Sequence, residues 1–374
     1  MSADSVAVVV VGDLARSPRT INHARELARA GVPVSLIGYR ECEFAAPAGV
    51  AVLPLLPWRS LRALRLPGAA VRMTLTMGQL VAVLLRLKPG AILVQNPPAF
   101  PTLLAGWIAA RLLRARWLVD WHNYGYSMLA LRLGADHWIT HLAERHEGWM
   151  GRRADRHFCV SQAMRADLER RFGVCAEVLY DRPIECLSVP VSGPSRRLVA
   201  VCPAGWTADE DMQMLFDSLE LLRRPDLDIH VTGDGPLRSR MQPRIAALRA
   251  SGLDIHTGFL SEPEYRALIR RASLGISLHR SSSGLDLAMK VVDLFSAGAP
   301  VCALDYGGSL REQVRDGETG FLFRSAAGLA AILDRLQQDP SPLGPMREHI
   351  RTRWNTTWTE EWSRVAAPAF GRSQ

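Results

Sequence analysis

The chain is organised as a repeated alternation of short apolar runs and longer amphipathic stretches. In the first half, β-branched and apolar runs predict strands at residues 6–11, 32–37, 91–95, 116–120 and 157–161, with helical stretches between them. The second half repeats this plan and predicts strands at residues 198–202, 228–232, 274–278 and 300–304. Strands that alternate with helices form a parallel sheet with helices on both faces. The sequence therefore predicts an α/β fold with two Rossmann-like, doubly wound domains.

A segment without periodicity separates the two halves. Residues 187–197 are rich in Ser, Pro, Gly and Val, which is typical of a linker. We therefore expect one domain at residues 1–185, a second at residues 186–350 and a helical segment at residues 351–374. Trp354, Trp358 and Trp362 recur at four-residue spacing, which predicts one helix over residues 351–370 whose aromatic stripe packs back on the body of the protein.

Composition limits the partners of the protein. With 48% hydrophobic and 22% charged residues among 374, the chain is neither disordered nor fibrous. Its formal net charge is +8, and arginine carries almost all the positive charge because lysine occurs only at Lys88 and Lys290. Guanidinium groups bind phosphates, which raises nucleotide diphosphates, anionic lipids and nucleic acids as partners.

The cysteines and the first residues of the chain indicate in which cellular compartment the protein is expected. The six cysteines show neither close pairs nor a Cys/His cluster, which disfavours a zinc site or a disulfide framework and fits a reduced cytoplasm. The chain lacks a basic, apolar leader and runs directly into the apolar residues 6–11, which indicates a strand rather than a signal peptide. No uninterrupted run of about 18 apolar residues is present, so we expect membrane contact to be peripheral.

A basic and apolar segment in the first half is the candidate for that contact. It contains Trp58, Arg59, Arg62, Arg65, Arg72 and an apolar run at residues 80–87 that includes Arg86. Apolar side chains beside arginines suit the headgroup boundary of an anionic membrane. A core helix with a solvated basic face explains the same pattern equally well.

Three polar loops follow predicted strands of the first half. The loop at residues 12–19 offers Gly12 for close approach, a helix N-terminus and the Asp13 carboxylate, although an ordinary turn explains it as well. The turn at residues 95–98 offers Asn96 for hydrogen bonding to a sugar, or is purely structural. Residues 120–127 combine a carboxylate, an imidazole, an amide and aromatic rings, which favours a carbohydrate site.

These loops supply the predicted catalytic and acceptor-binding residues. Asp13 and Asp120 are alternative general bases for an acceptor hydroxyl, and His122 orients that hydroxyl or shares the proton transfer. The expected acceptor-binding residues are Gly12, Arg16, Ser17, Asn96, Asn123, Tyr124 and Tyr126.

The second half contains three further loops at strand ends. Thr207 and Glu210 form the pattern of a capping box, which explains residues 205–211 without chemistry and weakens a metal-binding role for Asp209 and Asp211. The same helix N-terminus, with Gly205, can hold a phosphate. Residues 232–238 form a glycine turn, which by itself is a weak signal.

Residues 279–293 give the strongest signal in the chain. Three serines and Gly284 can hold phosphate oxygens, Lys290 supplies a positive charge, and Asp293 can reach ribose hydroxyls. The expected donor-binding residues are Gly205, Trp206, Thr207, Gly233, Gly235, Arg238, Arg280, Ser282, Ser283, Gly284, Leu285, Lys290 and Asp293. Because Lys290, Arg280, Arg238 and helix N-termini can stabilise a leaving diphosphate, no metal ion is expected.

Seven segments in order make the chain resemble the chitobiosyldiphosphodolichol β-mannosyltransferases. They are residues 12–19, 95–98, 120–127, 180–183, 206–211, 233–238 and 281–293. The resemblance implies a GT-B fold, in which two Rossmann-like domains face a central cleft. It also implies inverting, metal-independent transfer of mannose from GDP-mannose to a polyprenyl-diphosphate-linked saccharide at the cytoplasmic face of a membrane, with no cofactor beyond the nucleotide sugar.

Other functions stay open or are disfavoured. Eukaryotic members of that group carry an amino-terminal membrane anchor, whereas this chain begins at the first strand, and its preference for arginine suggests a GC-rich bacterial genome. A related GT-B enzyme that uses UDP-glucose or UDP-glucuronate in exopolysaccharide assembly is therefore the main alternative. A dinucleotide-dependent oxidoreductase would need Gly-x-Gly-x-x-Gly, and the first loop has only Gly12. The basic residues form no dense run with aromatics, which disfavours nucleic-acid binding.

Overall fold

The computed structural model describes residues 5–58, 65–187, 197–207, 210–224 and 226–371. These residues form two compact units. The N-terminal unit comprises the described parts of Met1–Tyr180 and Thr359–Gln374, and the C-terminal unit comprises those of Asp181–Trp358.

The N-terminal unit is built on a parallel sheet of seven strands in the order β3-β2-β1-β4-β5-β6-β7. The strands are β1 Val6–Asp13, β2 Val34–Tyr39, β3 Val50–Pro54, β4 Ala91–Asn96, β5 Arg116–Trp121, β6 Arg156–Cys159 and β7 Glu177–Val178. The helices between them are α1 Pro18–Arg29, α2 Arg65–Leu87, α3 Thr102–Leu113, α4 Gly125–Leu133, α5 Trp138–Gly151 and α6 Gln162–Phe172.

The C-terminal unit is built on a parallel sheet of six strands in the order β10-β9-β8-β11-β12-β13. The strands are β8 Leu198–Pro203, β9 Leu227–Thr232, β10 Asp254–Gly258, β11 Leu274–Ser277, β12 Val301–Leu304 and β13 Gly320–Phe323. The helices are α7 Met212–Glu220, α8 Arg238–Ala250, α9 Glu262–Arg271, α10 Met289–Ser296, α11 Leu310–Gln313, α12 Ala326–Gln338 and α13 Leu343–Arg353.

Both sheets have a topological switch point beside the first strand of the unit. The strand order reverses between β1 and β4 in one sheet and between β8 and β11 in the other. Open α/β sheets bind ligands beyond the carboxyl ends of the strands at such points. In the C-terminal unit, the predicted loops after residues 203 and 277 begin at the two strands of the switch point. The prediction of two doubly wound sheets is confirmed.

Four strands have no counterpart in the sequence prediction: β3, β7, β10 and β13. All four lie at the edges of the two sheets. Central strands are buried on both faces and therefore read as continuous apolar runs, whereas an edge strand needs no such run. The β3 strand, for example, has no buried residue.

The C-terminal segment differs from the single predicted helix. α13 ends at Arg353, and the chain resumes in α14, Trp358–Val365, and α15, Ala367–Phe370. Trp354 packs on Phe295 within the C-terminal unit, at a ring-centroid distance of 5.0 Å. Trp362 belongs to the N-terminal unit, where its Nε1 donates a hydrogen bond to His23 Nδ1 (3.0 Å). The segment does pack back on the body, but its tryptophans contact two separate cores.

Helix α2 is long and apolar enough to span a membrane, although it contains no uninterrupted run of about 18 apolar residues. Its residues 70–87 have a mean hydropathy of 1.4, and only 17% of them are buried. By length and composition alone this one helix, among the described residues, could cross a bilayer. Arg72 and Arg86 interrupt the apolar run, which is why the sequence prediction excluded it.

Candidate active site

Asp13 is the last residue of β1, next to the switch point of the N-terminal sheet. Its side chain is half-buried, and Oδ1 accepts hydrogen bonds from the backbone N–H groups of Glu41 (3.2 Å) and Cys42 (3.4 Å). Partial burial acts to raise the pKa of Asp13, but hydrogen bonds from the Cys42 thiol and from these N–H groups lower it below its usual value. Asp13 is thus an ionised carboxylate that is partly open to solvent.

The neighbours of Asp13 form the short turn into α1. The turn, Leu14–Arg16, is 3₁₀-helical. Ser17 is buried and its hydroxyl donates to the Asp13 carbonyl oxygen (2.9 Å), so it fixes the turn. Gly12 is half-buried and Arg16 is exposed, which leaves both able to contact a ligand.

Asp120, the alternative base, lies on β5 in a closed environment. Asp120 and Arg19 are each 1% exposed, and Arg19 donates two hydrogen bonds to the carboxylate, at 2.7 Å from Nε and 2.8 Å from Nη2. His23 Nε2 lies 3.3 Å from Asp120 Oδ2. Burial acts to raise the pKa of Asp120, but the charge of Arg19 and the hydrogen bonds from His23 and Arg19 lower it far below its usual range. This geometry favours a structural role.

The loop that follows β5 is held by Glu147 of α5. Glu147 is fully buried, and it accepts hydrogen bonds from Asn96 Nδ2 (2.7 Å) and from the backbone N–H groups of Gly125 (2.9 Å) and Tyr126 (2.8 Å). Burial raises the pKa of Glu147 to about 7, although these hydrogen bonds act to lower it. Asn96 Nδ2 also donates to the Asn123 carbonyl oxygen (3.1 Å), so two buried side chains fix the loop.

Two predicted acceptor-binding side chains, those of Asn96 and Tyr124, are buried and hydrogen-bonded within the protein. Asn96 is fully buried and donates to Glu147 and Asn123. Tyr124 is also fully buried, and its hydroxyl donates to Asp167 Oδ2 (3.0 Å). The sequence suggested ligand contacts because amide and aromatic side chains suit sugars, but burial decides what they can reach.

Three other residues of the loop keep part of their surface exposed. His122, Asn123 and Tyr126 are half-buried. Among the described residues, the buried Nδ1 atom of His122 has no hydrogen-bond partner. The Tyr126 ring stacks on the Tyr124 ring at a centroid distance of 5.1 Å, and burial raises the pKa of Tyr126 to about 12. These three residues are therefore the part of the loop that is accessible to solvent.

In the C-terminal unit, two backbone turns approach each other so closely that they require glycine. A Cβ atom on Gly233, whose φ is +93°, would lie 1.9 Å from the Ala204 carbonyl oxygen. A Cβ atom on Gly235 would lie 2.1 Å from the Gly205 carbonyl oxygen. Both glycines of the predicted turn are thus needed to pack it against the loop that follows β8.

Lys290 forms an ion pair that the sequence did not predict. Its Nζ contacts Glu210 Oε1, and Glu210 Oε2 accepts a hydrogen bond from the Gly205 N–H (2.7 Å). Glu210 is buried, whereas Lys290 is about one-third exposed, at the N-terminal end of α10. The positive charge of Lys290 therefore lies beside the loop after β8, where helix N–H groups also favour anions.

The predicted capping box at Thr207 and Glu210 is wrong. Helix α7 begins at Met212, and Asp211 caps it by accepting a hydrogen bond from the Met214 N–H (3.0 Å). Glu210 instead binds Lys290 and Gly205, and half-buried Thr207 lies outside the helix. Asp209 lies outside the described residues, and Asp211 also pairs with Arg280.

The serine-rich loop after β11 is organised around Asp286. This buried residue accepts a hydrogen bond from the Ser281 hydroxyl and pairs with His279 Nε2 (2.9 Å). The backbone N–H groups of Gly284 and Leu285 donate to the Ser281 hydroxyl, at 2.8 and 3.2 Å. Gly284 has a φ of +74°, which glycine adopts without strain. The loop thus presents half-buried backbone N–H groups and hydroxyls, including those of Ser282 and Ser283.

The remaining predicted donor-binding residues differ in their exposure to solvent. The Trp206 ring is fully buried and stacks on Phe216 in the core. Arg238 is partly exposed and Arg280 largely exposed. Asp293 lies on α10, where it accepts from the Tyr265 hydroxyl (3.4 Å) and burial raises its pKa to about 6.

The candidate loops are held by three acids that no sequence pattern had assigned to this role: Glu147, Glu210 and Asp286. Each is a buried acid that accepts hydrogen bonds from backbone or side-chain donors of a functional loop. A partial signal existed for Asp286, which lies inside the strongest motif. No local signal marked Glu147, because it meets its partners 21 to 51 residues away.

Comparisons with known proteins agree with this architecture. Residues 17–180 match the family described as "Glycosyl transferase 4-like domain", and residues 195–339 match "Glycosyl transferases group 1". The chain is 32% identical to a chitobiosyldiphosphodolichol beta-mannosyltransferase of Mus musculus, over 100% of this chain and 90% of the mouse protein. It belongs to the chitobiosyldiphosphodolichol β-mannosyltransferase family. The chain is also 30% identical to the UDP-glycosyltransferase TURAN of Arabidopsis thaliana, over 94% and 95% of the two chains.

Solved structures of other glycosyltransferases share the fold of this family member. HepE from Anabaena, in complex with UDP-glucose, matches with a TM-score of 0.67 at 16% identity, over 97% of this chain and 98% of HepE. The sucrose-phosphate synthase of Thermosynechococcus elongatus matches with a TM-score of 0.70 at 17% identity, over 98% and 96%. The GT-B assignment and the identification as a glycosyltransferase are confirmed.

Proposed function

We propose that this protein is an inverting β-mannosyltransferase that transfers mannose from GDP-mannose to a polyprenyl-diphosphate-linked saccharide. The observation that carries the proposal is the match to the mouse chitobiosyldiphosphodolichol beta-mannosyltransferase along the whole chain. The exposed residues of both units are consistent with the two substrates. The N-terminal unit offers a carboxylate and sugar-binding groups, and the C-terminal unit offers donors for a diphosphate.

The C-terminal unit binds the nucleotide sugar in this proposal. The diphosphate accepts hydrogen bonds from the N–H groups of Gly284 and Leu285. Without a ligand these two groups donate to the Ser281 hydroxyl within the loop. Lys290 neutralises part of its charge, and Asp293 binds the ribose hydroxyls. The charge that develops on the leaving diphosphate is stabilised by Lys290, Arg238 and Arg280 and by helix N–H groups. No divalent ion takes part.

The N-terminal unit binds the acceptor and supplies the base. Asp13 accepts the proton of the attacking hydroxyl while its oxygen forms the new bond to the anomeric carbon and the nucleoside diphosphate leaves from the opposite face. Asp13 is ionised near neutral pH, which is the form that accepts a proton, although its lowered pKa makes it a weaker base. Asp120 is held by Arg19 and His23, which supports Asp13 as the base.

A second donor class has a specific observation in its favour. The Arabidopsis relative is named a UDP-glycosyltransferase, and it matches this chain almost end to end. The same loops would serve a UDP-sugar such as UDP-glucose or UDP-glucuronate, because they address the diphosphate and ribose that both donor classes share.

Thermal stabilisation by nucleotides distinguishes these two donors. A ligand that binds only the folded state raises the melting temperature. We expect GDP and GDP-mannose to raise it more than UDP, UDP-glucose and UDP-glucuronate at equal concentration. Transfer from GDP-mannose to a synthetic polyprenyl-diphosphate chitobiose then tests the reaction. Stabilisation by the UDP series alone would replace the first proposal with the second.

Removing the charge of Lys290 tests the donor site. We expect Lys290→Ala to weaken donor binding by about 1.5–3 kcal/mol, roughly ten- to hundredfold, because one charge-assisted contact to the diphosphate is lost. Calorimetric titration with the stabilising nucleotide measures this loss. Lys88→Asn is the matched control: Lys88 is the only other lysine, it is exposed, and its φ of +49° is tolerated by asparagine.

A second variant separates binding from folding at the same position. Lys290→Ala leaves the buried Glu210 carboxylate unpaired, which by itself lowers stability. Lys290→Met combined with Glu210→Gln removes both charges. Nucleotide affinity at the wild-type level in both variants would exclude Lys290 from the donor site.

Peripheral binding to the cytoplasmic face of a membrane is part of the proposal. In α2, Leu80 and Leu84 are fully buried, while Val71, Met73 and Leu75 are 48%, 38% and 37% exposed. Arg72 and Arg86 lie on the same helix. Apolar side chains next to arginines bind the headgroup region of anionic lipid. Arg59, Arg62 and the Arg65 side chain, which the sequence analysis included, lie outside the described part of the chain.

Flotation with vesicles measures this binding. We expect the protein to float with phosphatidylglycerol vesicles at low salt and to bind less as salt screens its charges. Met73→Glu with Leu75→Glu should abolish flotation, whereas Leu221→Glu, which changes an exposed leucine of the C-terminal unit, should not. Equal flotation of both variants would exclude α2 as the docking surface.

A further inference from the structure

Two neighbouring strands of the C-terminal sheet carry a cluster of imidazole and carboxylate groups. On β9, Leu227, Ile229 and Val231 face the core, so Asp228 and His230 lie on the opposite face. The adjacent edge strand β10 pairs with β9 in parallel, and its register places His256 beside His230. Asp228, His230 and His256 therefore converge on one side of the sheet edge.

The two distances from Asp228 to the histidines match those of ligands around one metal ion. Asp228 Oδ1 lies 2.9 Å from His230 Nε2 and 3.4 Å from His256 Nε2. One ligand atom from each of the three residues lies within 4.8 Å of the other two. Atoms bound at about 2.0–2.1 Å to one zinc ion are separated by about 2.9 Å at right angles and about 3.3 Å in a tetrahedron.

The geometry between Asp228 and His230 is not that of a hydrogen bond. Although their atoms are 2.9 Å apart, Asp228 Oδ1 and His230 Nε2 are both buried, and neither has a hydrogen-bond partner among the described residues. Buried polar atoms are ordinarily paired, because loss of hydration without a partner costs free energy. A cation bound by both atoms would satisfy this requirement.

Charged side chains surround the cluster. Arg271 is largely exposed and its Nη2 lies 3.6 Å from the other oxygen of Asp228, so it neutralises the carboxylate without occupying Oδ1. Asp254 lies 2.9 Å from His256 Nε2 and accepts a hydrogen bond from Arg197 (2.9 Å). His256 is half-exposed, so it can turn from Asp254 toward an ion.

We infer that Asp228, His230 and His256 form a binding site for a divalent transition-metal ion of the zinc type. Two imidazoles and one carboxylate are ligands that zinc accepts, and water completes its coordination. The site was invisible to the cysteine and histidine spacing of the sequence, because one of its ligands comes from a second strand.

The site is structural and lies apart from the proposed sugar transfer. An ion there ties the edge strand β10 to β9. The carboxyl end of β10 in turn holds the glycine turn, because the Gly233 N–H donates to the Gly258 carbonyl oxygen (2.9 Å). Zinc therefore stabilises the strand pair that supports this turn, without taking part in the chemistry.

Metal titration of the intact protein tests the inference. After treatment with a chelator and its removal, we expect the wild type to bind one Zn²⁺ by calorimetry, and Co²⁺ to give a visible absorption band typical of protein nitrogen and oxygen ligands. His230→Ala and His256→Ala should each weaken Zn²⁺ binding by about a hundredfold and remove the band, because even outer-shell changes cost ten- to hundredfold. His349→Ala, an exposed histidine of the same unit, is the control and should change neither.

Hydrogen exchange gives a readout that does not depend on activity. Zn²⁺ should slow the exchange of backbone amides in β10 of the wild type and leave β10 of His256→Ala unchanged. Wild-type protein that binds no Zn²⁺, or that binds it as tightly as the variants do, would overturn the inference. Sugar transfer by His256→Ala should stay near the wild-type rate. If this variant lost transfer while staying folded, the ion would take part in the reaction and the purely structural role would be overturned.

Discussion

Replacing Asp13 with Asn is expected to lower the turnover of sugar transfer by about a hundred- to ten-thousandfold, because the acceptor hydroxyl then loses its general base. Binding of the nucleotide sugar and the free energy of unfolding should stay near their wild-type values, since Asp13 is half-buried and its carboxylate accepts from backbone N–H groups rather than from a buried cation. Steady-state and single-turnover transfer assays measure the effect.

The pH dependence of transfer follows from the lowered pKa of Asp13. Hydrogen bonds from Cys42 and from the Glu41 and Cys42 N–H groups keep the carboxylate ionised below the usual carboxylate range. Activity that depends on Asp13 should therefore be retained as pH falls toward about 4 and decline only below it. Glu41→Gln, an exposed acid next to the site, is the control for a general change of charge. A wild-type rate in Asp13→Asn would place the base elsewhere.

Addition of EDTA checks the metal-free part of the proposed reaction. Transfer should continue at an unchanged initial rate, because Lys290, Arg238 and Arg280 carry the charge of the leaving diphosphate in the proposal. If EDTA abolished transfer by the wild type and added metal restored it, the metal-free reaction would be contradicted. A loss of thermal stability alone would not contradict it.

Replacing Asp120 with Ala is expected to lower the free energy of unfolding by about 3–5 kcal/mol, because the buried charge of the Arg19 guanidinium then lacks a carboxylate. Urea denaturation measures this loss. Glu318→Gln is the control: Glu318 pairs with Arg315 at the surface, where one ion pair contributes about 1 kcal/mol or less.

The sign of the pH effect is fixed by the same ion pair. The pKa of Asp120 is lowered in the folded protein, so the pair stabilises fully above the unfolded pKa of about 3.9 and loses its effect as pH falls through the folded value. Wild-type stability should thus decline on acidification below about pH 4, and Asp120→Ala should lack this part of the decline. If Asp120→Asn instead keeps wild-type stability and loses transfer, Asp120 rather than Asp13 is the base.

Several features of this protein could be predicted from its sequence because they depend on neighbours along the chain. The apolar runs of the central strands, the helical stretches between them and the glycines at the loop ends are local patterns, and alternation alone indicated two doubly wound sheets. The candidate loops could also be found, because the carboxyl ends of parallel strands meet at one edge. The family resemblance rested on the same loops.

The tertiary structure decided which side chains in those loops are accessible and which are paired. Asp13 and Asp120 both lie at the ends of apolar runs, so the sequence made them equivalent candidates for the general base. Only Asp120 forms a buried ion pair with Arg19, which lies 101 residues away in the chain. Glu147 and Asp286 each accept hydrogen bonds that fix one loop. Glu210 pairs with Lys290 instead of capping a helix as the sequence had predicted. Burial and ion pairing depend on contacts between distant segments. The sequence therefore determined where the loops lie, and only the packed structure determined which of their residues remain free to meet a substrate.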